Sequence, residues 1–558
     1  MTKPDLRLWG LRTILWAALA ILVLAPLAAI LAGAVSPSLL GDGAAGNGLL
    51  SSSLWIATRN SLFLGVSVAA IASMVSLALA LALEYSPPPL ARFWEALLFL
   101  PFLCAPYLLG LAWSVLGMPG SIFGQHLGFL TPILNRFVFS IFGIAFITST
   151  HLVPLIYAMI RGYLAGTGRR FDLVSRVHGL GPIRTFFQVT LPRLSLPLAA
   201  GALLAFLAAI EEFGVPAILG PYTGLTLLTT AVQSDLEVWP VNLADATHVA
   251  LVLLALGVFA WVLYSRFDRG TDLDYGQSNE ASERRMGLGG VFVALWALLA
   301  GVLPISVMVI LALLKAETVG IHTANLTLAH FREVLEPGQK GFEALWTSAE
   351  LAFTSSVLSL VLASAVALLQ RSGSQSDQAL DLLTTVLNAL PGIVLAVALV
   401  LVWNAPWNPL PVYGHRSLLL LAYVTVLLPM ALRYAKTAVA RVTPGFITAA
   451  RVHGLRWLSI GWHVVLPLVM PSLAGGFVIA FAFGLREFVT SVLLQPPGVE
   501  TVSTFIFNEA LQGNEEAAMA MSVVSLAVSF AAVFALRRVR GSSRLARDTI
   551  LRGETFDA

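Results

Sequence analysis

Charge is scarce in this chain. Only 11% of its 558 residues are Asp, Glu, Lys or Arg, while 58% are hydrophobic. A soluble domain of this size needs far more charge at its surface, so the composition excludes that class and indicates a polytopic membrane protein. Lysine is almost missing: Lys3, Lys315, Lys340 and Lys436 are the whole set. None lies in a Gly-rich Walker A run, so the chain has no P-loop for ATP, and energy must come from another polypeptide or an ion gradient. The single cysteine, Cys104, sits in an apolar run, which excludes a disulfide framework and a Cys-based metal site. There is no His-Glu-x-x-His and no Gly-x-Ser-x-Gly. The arginines are scattered among short loops rather than gathered on one face, so nucleic acid is not implied. No metal site is expected either, because His178 and His453 lack a second ligand at helical spacing; both read as loop-packing residues, and His151 as structural.

What the chain has in quantity is long apolar runs. A bilayer core of roughly 30 Å needs about 20 apolar residues per helix. Runs that meet this lie near 11–33, 61–83, 95–117, 138–160, 195–219 and 247–265, then near 290–313, 348–369, 381–403, 417–435, 470–494 and 521–537. The expected fold is all-α and integral to the membrane, with twelve transmembrane helices as six plus six. The first run has a rival reading: Lys3, Arg7 and Arg12 precede it, and it ends at Ala32-Gly33-Ala34, like a cleaved leader. Its apolar core is longer than a leader's, and the six-plus-six count needs it, so a retained helix is expected.

Orientation follows from the positive-inside rule. The loop 161–194 carries Arg161, Arg169, Arg170, Arg176, Arg184 and Arg193 against Asp172 alone, and the loop 435–469 carries Lys436, Arg441, Arg451 and Arg456 with no acid. Both loops and both termini should therefore be cytoplasmic. The loops rich in acid (Asp235, Glu237 and Asp245; Glu500, Glu509, Glu515 and Glu516) belong on the other side. A polar stretch separates the halves, giving a first half at 1–270, a linker at 271–289 and a second half at 290–558. Each half enters the membrane in the same direction, so the repeat is parallel and a pathway is expected between the halves.

The two basic loops are copies of each other. Arg176-Val-His-Gly-Leu180 followed by Leu191-Pro192 returns as Arg451-Val-His-Gly-Leu455 followed by Leu466-Pro467. Without a gap, 16 of the 44 positions from Arg176 to Leu219 are identical to their counterparts. Such a repeat is the first thing to explain. The second copy has helical character up to Gly454, glycine being the usual residue where a helix stops with positive φ. The Leu-Pro pair is expected to begin the re-entering helix, since proline suits a first turn. Duplication at one topological position points to docking of a partner.

These residues resemble the cytoplasmic "EAA" loop of type I binding-protein-dependent ABC importer permeases: Glu-Ala-Ala, three residues, Gly, nine residues, Ile-any-Leu-Pro. The pattern falls on Thr448-Ala449-Ala450, Gly454, Val464 and Leu466-Pro467, and on Leu173-Val174-Ser175, Gly179, Val189 and Leu191-Pro192. The glycine-to-Leu-Pro spacing is kept in both; the leading Glu is absent from both, and the first copy lacks the alanines. The resemblance implies that each loop is a coupling helix docking on an ATPase. Its residues would be Arg176, His178, Gly179, Leu191 and Pro192, then Ala449, Ala450, Arg451, His453, Gly454, Leu466 and Pro467. It further implies two copies of a cytoplasmic ABC ATPase holding ATP and Mg, a periplasmic solute-binding protein, and a place in the bacterial inner membrane. The chain itself would be neither an enzyme nor a cofactor binder. The fused two-half form and the stretches Glu212–Gly220 and Ser491–Gly498 look most like ferric-iron permeases, with thiamine, aminoethylphosphonate and polyamine permeases as alternatives. An ion-gradient-driven secondary transporter is the reading from another class; its signature would belong between the second and third helices, where only Glu84-Tyr-Ser-Pro-Pro-Pro89 stands.

Ionisable groups inside spans are candidates for function. Glu211-Glu212 and Arg486-Glu487 occupy equivalent positions near the end of the fifth helix of each half. Either Glu211 pairs with Arg486 as a gate, or Glu212 and Glu487 line a pathway, or the group is a structural ion pair. Pro106 and Pro391 each fall in a third helix, as kinks or as points of unwinding.

Overall fold

A computed structural model describes residues 6–35, 48, 51–239, 241–267, 287–370, 383, 387, 390–405, 408 and 412–552, with the backbone alone for 6–11, 127, 165–173, 176, 457–458, 533 and 535–552. Among these residues every regular element is helical, apart from one antiparallel bridge between Leu314 and Leu326. Ten helices are long and apolar enough to cross a membrane, and up to twelve if each of two sharply bent pairs is one span. One bent pair is the expected third span: Ala91–Leu103 and Pro106–Gly117 meet at 97°. Cys104 and Ala105 between them are extended, and Pro106, which has no N–H to donate, starts the second limb. The ninth span is described only as Gly392–Trp403, which Pro391 precedes in a non-helical conformation. Most of 381–389 and of the linker lies outside the described residues.

The expected fifth and eleventh spans run too far in the sequence reading. Their helices stop at Glu211 and Leu485, not near 219 and 494, and short helices follow at a new angle. In the first half these are Gly214–Thr223 and Leu228–Glu237, bent by 82° to each other. Apolarity alone carries the run onward; the break is made by polar groups, described below.

Proline also explains four widened turns. Segments Ala20–Leu24, Phe186–Thr190, Ala297–Val302 and Gly461–Val465 are π-helical. Each ends two residues before a proline: Pro26, Pro192, Pro304 and Pro467. A proline ring clashes with the carbonyl four residues back, and a π turn moves that carbonyl aside without ending the helix. Leu191-Pro192 and Leu466-Pro467 therefore do not begin the re-entering helices. Those begin near Pro182 and Trp457 and run through the Leu-Pro pairs.

The chain divides into two compact units that do not follow the sequence halves at their first helices. One unit is Gly41–His330 with Gly513–Val523. In it the helix Ser52–Tyr85 packs along Ile141–Val177 and Leu191–Glu211. Small residues permit this: Gly201 leaves so little room that a Cβ would lie 2.8 Å from Ile156, and Ser76 Oγ donates to the Val153 carbonyl at 2.9 Å. The seventh helix, from the other sequence half, completes this unit. Its Gly289 packs closely on Ser86 and Ala82, where a Cβ would lie 3.2 Å from the Ala82 Cβ and force Ser86 Oγ to turn away, and Trp296 meets Phe146 edge-on at 5.8 Å.

The other unit is Met1–Leu40 with Phe331–Gln512 and Val524–Ala558. Lys340–Leu369, Arg416–Ala440 and Leu466–Leu485 pack together, and Ser359 Oγ donates to the Val424 carbonyl at 3.0 Å. The chain's first helix supplies Leu15, Leu19, Leu22 and Val23 to a cluster with Leu360, Ala363, Val366, Leu428 and Leu432. Each unit thus takes its first helix from the opposite sequence half.

Candidate functional site

Both copies of the repeated loop close with the same backbone hydrogen bonds. In the first, His178 N–H donates to the Val174 carbonyl and Leu180 N–H to the Ser175 carbonyl, each at 3.0 Å. In the second, the equivalent groups are His453 to Ala449 and Leu455 to Ala450, each at 3.1 Å. The bond from the third residue after the helix, Leu180 or Leu455, back to its last turn is the Schellman closure. It requires the residue between to be left-handed, and Gly179 and Gly454 have φ of +75° and +77°. A Cβ on either glycine would touch nothing within 4 Å, so conformation and not space demands glycine here.

The helices that lead into the two turns differ. In the first copy one 37-residue helix, Ile141–Val177, runs from the span into the loop without a break. In the second, Arg416–Ala440 ends, and a separate helix Pro444–Val452 follows. Pro444 is its first residue, and Thr443 before it is extended at φ −74° and ψ 149°. The first copy has Gly168-Arg169 where the second has Thr443-Pro444.

The residues singled out by sequence lie as follows. His178, Gly179, Arg451, His453 and Gly454 are exposed, as are Pro192 and Pro467; Leu191, Leu466 and Ala449 are partly or wholly exposed. Ala450 is buried, as is its counterpart Ser175. The side chain of Arg176 lies outside the described residues. Sequence reasoning overlooked the apolar side chains that stand out around the turns: Val177, Ile183 and Phe187 in the first copy, Phe446, Val452 and Trp462 in the second. Arg184 in the first copy and Arg451 and Arg456 in the second are exposed among them.

Beyond the fifth helices, Glu212 and Glu487 do the same work in both halves. Glu212 is extended, and its Oε1 accepts Gly214 N–H at 2.8 Å and Val215 N–H at 3.3 Å. Glu487 Oε1 accepts Thr490 N–H and Thr490 Oγ1–H, both at 3.2 Å. Each carboxylate caps the short helix that follows, which is why the long helix stops there. The next limb is pinned alike: Ser61 Oγ accepts Leu228 N–H at 2.9 Å, and Ser348 Oγ accepts Val502 N–H at 2.7 Å. Glu211 Oε1 is buried with no hydrogen-bond partner among the described residues, and the Arg486 guanidinium stands 4.4 Å over the Phe483 ring.

Other polar features support helix breaks. His151 Nδ1 lies 3.0 Å from the Pro101 carbonyl and its ring stacks on Phe102, so it holds the bend in the third helix. A cavity of about 470 Å³ is lined by Met118, Asn135, Phe139, Tyr222 and Glu317. Burial pushes the Glu317 carboxyl above its ordinary range, opposed by Ile122 N–H and reinforced by nearby Glu516. Among the described residues no three His, Cys, Asp or Glu side chains gather as a metal site.

Each half of the chain thus carries one glycine-closed loop and one carboxylate-capped break. Residues 85–273 and 355–541 each match the family described as binding-protein-dependent transport system inner membrane component, and the chain belongs to that family. It is a multi-pass inner membrane protein. Among its relatives, the Fe(3+)-transport system permease protein FbpB 2 of Haemophilus influenzae is 24% identical over 80% of this chain and 82% of its own length. A chain named as an ABC transporter permease protein, y4fN of Sinorhizobium fredii, is 24% identical over 93% of this chain and 94% of its own length. A permease named for 2-aminoethylphosphonate transport, PhnV of Salmonella paratyphi A, is 23% identical over 46% of this chain and 96% of its own length, and so corresponds to about half of this chain.

Proposed function

We propose that this chain is the channel-forming permease subunit of an ATP-driven importer and supplies both halves of the channel. Its two glycine-closed loops face the cytoplasm and dock two copies of an ABC ATPase, which hold the ATP and Mg. A periplasmic solute-binding protein delivers the substrate on the other side. Both termini are cytoplasmic, in keeping with the basic loops. The observation that carries this reading is the pair of identical turns, each ringed by exposed apolar residues and arginines, on a chain with no P-loop of its own. Arg451, His453 and Gly454, with Ala449, Leu466 and Pro467, form the second docking loop. Arg176, His178 and Gly179, with Leu191 and Pro192, form the first.

Ferric iron is the proposed substrate. The support is the naming of FbpB 2, whose match spans both halves. An aminoethylphosphonate importer is the second reading, favoured by the match to PhnV. Purification of the chain with its co-expressed partners tests both levels. An ABC ATPase should co-purify, and the associated binding protein should carry ferric iron by elemental analysis; a bound phosphonate would exchange the substrate and leave the class intact. Solute uptake by the chain alone in liposomes, driven by an ion gradient, would overturn the class.

A further inference from the structure

The first loop is wired into the core by two carboxylates that the docking reading does not use. Tyr157 and Arg161 lie one turn apart on the same face of Ile141–Val177. The Tyr157 hydroxyl, fully buried, donates to Glu95 Oε1 at 2.7 Å. Arg161 Nη1 donates to Glu84 Oε2, and Glu84 is itself buried. Glu84 stands in the last turn of Ser52–Tyr85, and Glu95 on the short helix Ala91–Leu98. The turn that joins those two helices includes Leu90, the only non-glycine with positive φ among the described residues, at 56°. The seventh helix packs on that same turn, with Gly289 against Ser86 and Gly290 against Pro88.

Because the helix is unbroken to Val177, Arg161 and Val177 are ends of one rod about 24 Å long at 1.5 Å per residue, with Gly179 just beyond it. Any tilt of the loop must therefore move Tyr157 and Arg161. The residue types at the matching positions of the second half differ. Leu432, the counterpart of Tyr157, packs among apolar side chains, and Lys436, the counterpart of Arg161, is exposed. Its loop helix is also separated from the span by the break at Thr443-Pro444.

We infer that Glu84 and Glu95 are positioning residues that clamp the first loop helix, so that movement of this loop passes to the second and third helices. Movement of the second loop is absorbed at its hinge. The clamp acts on the importer proposed above and rests on that reading for its use, though not for its existence. A hydrogen-bonded ion pair with one buried partner suits this task, since removing one partner leaves the other uncompensated.

The test uses the full chain in lipid nanodiscs, with Cys104→Ala and spin labels at Arg92→Cys and His178→Cys. The parent should give one narrow distance peak. Glu84→Gln combined with Tyr157→Phe should lose that peak, and exchange of the charges (Glu84→Arg with Arg161→Glu) in an otherwise parental chain should keep it. Lys436→Gln should leave it unchanged. In the complex with its ATPase and iron-loaded binding protein, ferric iron uptake per ATP by the label-free chain should fall several-fold in the double variant. A lowered melting temperature with the peak and the uptake ratio both intact would show a merely structural role and overturn the clamp. If the unsubstituted, label-free chain neither stimulates ATP hydrolysis nor takes up iron, the importer reading fails, and the label distances alone decide whether the clamp exists.

Discussion

The two loops share a turn and differ in how they are held. In the first, a single helix of 37 residues reaches the glycine, and polar contacts from Tyr157 and Arg161 tie it to neighbouring helices. In the second, a nine-residue helix begins at Pro444, and its Ile447 packs against a small apolar cluster of Ala438, Val442 and Val469. One residue accounts for much of the contrast. Proline at a first helical position forces the residue before it out of the helix, whereas Arg169 at the matching place allows the helix to continue. Identical end geometry therefore does not make the loops mechanically equal. The first is a lever and the second is a hinged pad.

The largest effect should come from erasing this difference. Arg169→Pro places a proline inside the long helix, at about 3 kcal/mol or more of local helix stability. The first loop should then hinge like the second, and uptake per ATP should collapse, while the reverse change, Pro444→Arg, should cost little. Equal losses for the two variants in reconstituted vesicles would break the comparison.

Next come the glycines. A β-branched residue in the left-handed region costs roughly 1–2 kcal/mol. Gly179→Val with Gly454→Val should abolish transport while leaving the chain folded in the membrane. Of the single variants, Gly179→Val should be the worse, because the hinge at Thr443-Pro444 relieves strain in the second loop. Retained coupling in the double variant, measured as uptake against hydrolysis, would remove the docking role.

The caps should matter less. Glu212→Ala or Glu487→Ala removes an acceptor of helix-starting donors and should cost about 1 kcal/mol of stability. Glu212→Gln with Glu487→Gln keeps an oxygen in place and should transport at the parental rate. A marked fall in uptake by these isosteric variants, without loss of thermal stability, would instead assign the carboxylates to the substrate pathway.

The smallest effect is a pH dependence. Burial raises the folded Glu317 carboxyl above its ordinary value of 4.5. The folded state then holds the proton more tightly than the unfolded one. The resulting stability is fully present below about pH 4.5 and is lost as pH rises through the raised folded value. Glu317→Gln should flatten that part of the melting-temperature profile, and an unchanged profile would refute the cause.

Much of this architecture is legible in the chain because its causes are local. Apolar runs mark the helices, and the glycine of Arg-Val-His-Gly marks a left-handed stop in both copies. Legibility fails where a polar group acts across a break. The sequence reading carried the fifth and eleventh helices through Glu212 and Glu487, since nothing in hydropathy shows a carboxylate turning back to accept the next helix's N–H groups. It also took Leu-Pro as a helix start, when a π turn lets the helix run through the proline.

The sequence by itself determined the repeat, the helical class and the glycine-closed turns. Each follows from the covalent nature of a few residues: glycine without a Cβ, proline without an N–H, apolar runs without charge. Only the tertiary structure decided that the first helix of each half completes the opposite compact unit, that Glu212 and Glu487 are caps, and that Glu84 and Glu95 reach Arg161 and Tyr157. Those outcomes depend on which distant segments share a surface. In a bilayer, where every helix is similarly apolar, small residues and a few buried hydrogen bonds select the neighbours, and the order of the chain does not.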